Sequence, residues 1–150
     1  MTDATPAPTP AVDLAALQDI LDRVVADWVK ALGLRLLEAR PGEVVLALPV
    51  TPPLVHGGGV LCGQAMMAAA DTAMVLAVSS QLGGFRPMTT VQLQTSFLRP
   101  VSGNNAGDSG QVRLVARVLR AGKSLVFGEV EILDPAGRLA AHTTTTYAML

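Results

Sequence analysis

The chain is poor in aromatic residues, poor in charge and nearly without cysteine. Aromatics make up 3% of its 150 residues, charged residues 15%, and the formal net charge is −1. A chain so balanced has no electrostatic footprint for a nucleic-acid backbone, and so few rings give bases no platform to stack on. The single cysteine, Cys62, excludes an internal disulfide, which fits a reducing cytoplasm. The first twelve residues lack both the basic start and the apolar run of a signal peptide. Their Thr, Pro and Ala content reads as a disordered leader (residues 1–12) ahead of one domain over residues 13–150. No G-x-S-x-G nucleophile elbow and no P-loop Lys-Ser/Thr follows the glycines at 57–59.

Apolar residues, by contrast, are abundant at 50%. That surplus points to a subunit interface as well as a core. It is densest in Cys62–Leu82, CGQAMMAAADTAMVLAVSSQL, which contains one charge, Asp71. A helix apolar on most sides is buried nearly all round, and a carboxylate within it is costly unless bonded, wetted or used. Gln64, Asp71 and Ser79 recur at helical spacing, with Ala68 and Val75 between them, as a narrow polar stripe. The stretch is long enough to span a membrane, but Gln64, Asp71 and the Ser79–Ser80 pair argue against that use.

Around this helix the pattern predicts an amphipathic helix over Ala11–Lys30. Asp13 is its N-cap, and Leu14, Leu17, Ile20, Leu21, Val24, Val25 and Trp28 form its apolar side. Leu34–Ala39 and Glu43–Val50 read as a hairpin turned by Pro41-Gly42. After Gly83–Gly84 only strand signals remain: Thr89–Leu98, Gln111–Arg120, Ser124–Leu133 and Arg138–Met149, with a loop at Ser102–Ser109. Val91, Leu93 and Phe97 share one face of the first of these; Val126, Gly128, Val130 and Ile132 share one face of the third. Consecutive strands with short turns are antiparallel. The expectation is an α+β domain in which about six strands curl round one buried helix.

Several residues carry chemistry by type and position. His56-Gly57-Gly58-Gly59 has the look of an oxyanion loop, but without a nucleophile elbow it reads as a flexible loop. Cys62 sits where a helix N-terminus favours a thiolate, with His56 six residues away, so a Cys–His nucleophile competes with a small buried apolar Cys. His56, Cys62, Asp71 and His142 share no metal-ligand spacing, so no metal is expected. Asp71 is the stronger candidate: a carboxylate partly withdrawn from water is a competent general base. The unpaired amides at the helix start, with Gly63 bare of a side chain, can hold an oxyanion.

Four segments in order resemble the hotdog-fold thioesterases, and among them the PaaI-like branch. They are Gly63–Ala73 (GQAMMAAADTA), Thr89–Pro100 (TTVQLQTSFLRP), Gly122–Val130 (GKSLVFGEV) and Ala140–Thr143 (AAHT), within a resemblance that covers Leu34–Met149. The resemblance implies hydrolysis of an acyl-CoA thioester to acid and CoA, with CoA as part of the substrate and no cofactor. It implies Asp71 as base or nucleophile and the Gly63 amide as oxyanion donor. Cys62 stands where relatives carry a His, nine residues before the acid; His56, fifteen before it, falls where they carry Asn or Gln that orients thioester or water. Thr90 matches a Ser or Thr that assists water. Gln64 and Cys62 flank the oxyanion glycine, and Arg99, Arg120 and Lys123 are candidate contacts to CoA phosphates. The site is expected between two protomers of a homodimer or dimer of dimers. A hotdog hydratase or dehydratase using His56 with Asp71, and an acyl-CoA binding module without turnover, are the competing functions.

Overall fold

The computed structural model describes residues 12–105 and 110–150. The leader expected over residues 1–12 therefore lies outside the described residues except for Val12, as do residues 106–109 of the expected Ser102–Ser109 loop. Asp13 caps the first helix, α1 (Leu14–Arg23), by accepting the Ala15 N–H at 2.9 Å, an interaction worth about 1 kcal/mol. The single helix expected to Lys30 is broken. At Ala26 the backbone is extended, and a separate turn, α2 (Asp27–Lys30), begins. The break undoes the helical register, so Leu17, Ile20 and Leu21 are buried while Val24 and Trp28 face solvent.

Six strands follow: β1 (Arg35–Arg40), β2 (Glu43–Pro49), β3 (Met88–Phe97), β4 (Gln111–Ala121), β5 (Leu125–Leu133) and β6 (Leu139–Met149). The long helix, α3 (Gly63–Leu82), intervenes between β2 and β3. The strands form one antiparallel sheet in the order β1-β2-β4-β5-β6-β3. Alternation sets its faces. Val44, Leu46, Leu48, Val112, Leu114, Ala116, Val126, Val130 and Ile132 are buried against α3.

The helix touches all six strands and α1. Ala69, Ala70, Ala73 and Ala77 are wholly buried, and their small side chains let the curled sheet close on the helix. Gly128 lies against it: a Cβ there would meet Met74 Sδ at 2.8 Å and the Arg117 carbonyl at 2.9 Å. Buried hydroxyls of α3 are satisfied locally, Thr72 donating to the Ala68 carbonyl and Ser79 to that of Val75, both at 2.8 Å. Ser79 is thus buried rather than on the expected polar stripe. Gly83, left-handed at φ 77°, ends the helix. By length and composition α3 could cross a membrane, yet 67% of its most apolar window is buried within the described chain.

β3 departs most from expectation. It is an edge strand. A bulge between Thr90 and Gln92 swings Val91 outward. Val91 and Phe97, which alternation places on one face with Leu93, are 60% and 49% exposed. An exposed apolar edge of this kind is a template for pairing with another strand.

Candidate active site

The start of α3 is built by the loop before it. The Cys62 N–H donates to the Leu54 carbonyl and the Leu61 N–H to the Val101 carbonyl, each at 2.8 Å. These bonds aim Gly63, the first residue of the helix, toward the end of β3. Cys62 is the N-cap in extended conformation, and its side chain makes no cap hydrogen bond. The first amides of a helix have no intrahelical acceptor and carry the positive end of its dipole. A cavity of about 340 Å³ opens beside Gly63, lined also by His56, Met66, Phe97, Leu98 and Arg99.

Two of the three consecutive glycines have a steric reason. His56 Nδ1 accepts the Gly58 N–H at 2.8 Å. A Cβ at Gly58 would lie 2.7 Å from His56 Cε1, so only glycine lets the ring fold back there. Gly59 adopts φ +79°. With Nδ1 as acceptor, a neutral His56 carries its hydrogen on Nε2. The loop is therefore a shaped turn and not a featureless connection.

The second group of residues lies two turns into α3. Asp71 is half-buried. Its Oδ1 accepts from Thr90 Oγ1 at 2.9 Å and lies in hydrogen-bond contact with Tyr147 Oη. Tyr147 Oη also lies 2.8 Å from the Asp71 backbone carbonyl. Thr90 and Tyr147 are cross-strand partners on β3 and β6, so the sheet presents both hydroxyls to the helix at one level. Burial first, and then the Asp71 carboxylate, push the Tyr147 phenol well above its ordinary range, so it remains a donor.

The expected site residues therefore fall into two clusters. His56, Cys62, Gly63 and Arg99 gather at the start of α3, with Gln64 exposed on its first turn. Asp71 and Thr90 meet further along, with Tyr147, which sequence reasoning did not select. Arg120 and Lys123 are exposed at the β4–β5 turn, near Val126, the β5 partner of Tyr147. Gln64, Ala68, Asp71 and Val75 form the less buried stripe of α3. Eight residues of helix separate Gly63 from Asp71, about 12 Å at 1.5 Å per residue. One reacting carbonyl cannot touch both within a single chain. Among the described residues, His56, Cys62, Asp71 and His142 form no cluster able to hold a metal ion.

A six-stranded antiparallel sheet wrapped on a long helix is the hotdog fold. The chain belongs to the thioesterase superfamily, whose model matches residues 55–141. A Thermoplasma volcanium protein that bears an esterase name is 32% identical over 72% of this chain and 76% of its own length. A mutant PaaI protein of Thermus thermophilus is 28% identical, with a TM-score of 0.71 over 83% of this chain and 100% of its own. The Escherichia coli PaaI protein, from the phenylacetic acid degradation operon, is alike in fold: 23% identity and a TM-score of 0.78 over 91% of each chain.

Proposed function

We propose that the chain hydrolyses an acyl-CoA thioester, with Asp71 of one protomer and Gly63 of its partner closing each site. The observation that carries this reading is Asp71 itself. It is a lone carboxylate on an otherwise apolar helix, half-exposed on the one open stripe and oriented by two hydroxyls. The separation of Gly63 from Asp71 supports a two-fold arrangement that sets one helix against another, as does the apolar edge of β3.

In the reaction, Asp71 takes a proton from water as the water oxygen bonds to the thioester carbonyl carbon. The carbonyl π electrons move to oxygen, and the Gly63 N–H at the positive helix end holds that oxyanion. Collapse re-forms the C=O bond and breaks the C–S bond. The thiolate leaves and takes its proton back from Asp71, which yields the free acid and CoA. Thr90 orients Asp71 and the attacking water. His56 offers Nε2–H toward the thioester, and Gln64 and Cys62 border it. Arg99 at the cavity and Arg120 and Lys123 at the β4–β5 turn supply cations for CoA phosphates. The reading includes no metal or cofactor and a cytoplasmic homodimer or dimer of dimers.

The test is thiol release from a panel of aliphatic and arylacetyl CoA thioesters, wild type beside Asp71→Asn. Turnover by the wild type and its loss in a folded Asp71→Asn chain is the expected result. Equal turnover in Asp71→Asn overturns the assignment. Binding of acyl-CoA without thiol release by the wild type makes the chain a binding module, and addition of water to an enoyl-CoA makes it a hydratase.

A further inference from the structure

We infer that Tyr147 is a positioning residue for hydrolysis: with Thr90 it anchors Oδ1 of Asp71 and so leaves Oδ2 as the oxygen that takes the proton from water. The inference rests on the role of Asp71 proposed above. Its own ground is geometric. Tyr147 is 1% exposed, and its hydroxyl meets both the backbone carbonyl and the carboxylate of the same residue. A purely structural tyrosine needs only the carbonyl. Contact with both fixes the side chain relative to the helix, because one rigid ring spans the two groups. Thr90 arrives at the same carboxylate oxygen from the adjacent strand. Among the described residues no protein donor meets Oδ2, and Asp71 lies on the less buried stripe of α3.

Thr90 from β3 and Tyr147 from β6 are the groups hydrogen-bonded to the carboxylate. Without the Tyr147 hydroxyl the carboxylate keeps only its contact with Thr90 and turns more freely about it. A hydrogen bond to a charged group is worth enough to expect about a tenfold fall in kcat.

Tyr147 is the chain's only tyrosine, so biosynthetic 3-fluorotyrosine labels this position alone. The fluorine resonance of the full chain is compared in wild type and in Asp71→Asn, and kinetics are measured for Tyr147→Phe. The expected result is a resonance displaced when Asp71 is replaced by Asn. Tyr147→Phe keeps KM within about twofold and loses about tenfold in kcat. A resonance indifferent to Asp71→Asn overturns the inference. So does a Tyr147→Phe chain with a lowered melting temperature but unchanged kcat. If wild type releases no thiol, the thioesterase reading fails, and the fluorine measurement, which needs no turnover, still decides whether Tyr147 senses Asp71.

Discussion

The ring of Phe97 closes over Gly63: a Cβ built on that glycine would lie 3.0 Å from Phe97 Cζ. The contact explains why the helix starts on a residue without a side chain, and it places the exposed end of β3 beside the proposed oxyanion donor.

The amide of Gly63 can be removed with little disturbance. Gly63 is the first helical residue, where proline is favoured, and Cys62 before it is already extended at φ −68° and ψ 144°. Gly63→Pro deletes the N–H and requires only a small movement of the Phe97 ring. The expected outcome is a folded chain with kcat reduced about 10²–10³-fold, the range for loss of one oxyanion donor. Steady-state thiol release with circular dichroism as the folding control checks it.

Cys62 is an N-cap that does no capping. Cys62→Ser supplies an oxygen that can accept an orphan amide, so the melting temperature rises by the equivalent of about 0.5–1 kcal/mol. Since the proposed base is Asp71, kcat for Cys62→Ser stays within about twofold of wild type. A loss of several orders of magnitude would assign the nucleophile to the thiol.

Much of the candidate site was legible because Asp71 violates the composition of its helix, and a charge among Ala, Met and Val is visible in any window. Gly63 and the start of α3 followed from the same stretch. Tyr147 was not legible. It lies 76 residues away on a Thr-rich strand whose alternation is ordinary, and only the register of β6 against β3 brings it to Asp71. The strand order was also hidden, because β3 follows α3 in sequence yet pairs with β6 at the edge. The exposure of Val91 and Phe97 has the same origin: alternation reports which residues share a face, not whether anything within the chain covers it. The break in the first helix depends on the extended backbone at Ala26, which no proline or glycine announced.

Acid should weaken the fold through Glu43. Its side chain accepts from Arg40 at 2.7 Å and from Arg117 at 3.0 Å. The Arg40 bond, and with it Arg117, hold its carboxyl below the ordinary value against the opposing effect of burial. A depressed carboxylate stabilises the fold above the unfolded-state value, about 4.3 for glutamate, and loses that contribution as pH falls through the folded one. Melting temperature is therefore expected to decline below about pH 4. In Glu43→Gln the stability should be slightly lower at pH 7, by about 0.5 kcal/mol after solvent screening, with a shallower acid decline in melting temperature. Melting curves from pH 7 to 3 measure both slopes.

The central claim is that Asp71 and Gly63 act on one substrate from two chains. Asp71→Asn and Gly63→Pro, each expected to lose at least about 10²-fold in turnover alone, are co-expressed with separate tags and assayed for thiol release after exchange of subunits. In a two-fold dimer the mixed species has one site with both lesions and one with none. With random pairing half the dimers are mixed, so activity returns to about one quarter of wild type. No recovery in a mixture shown to contain mixed dimers would contradict the shared site.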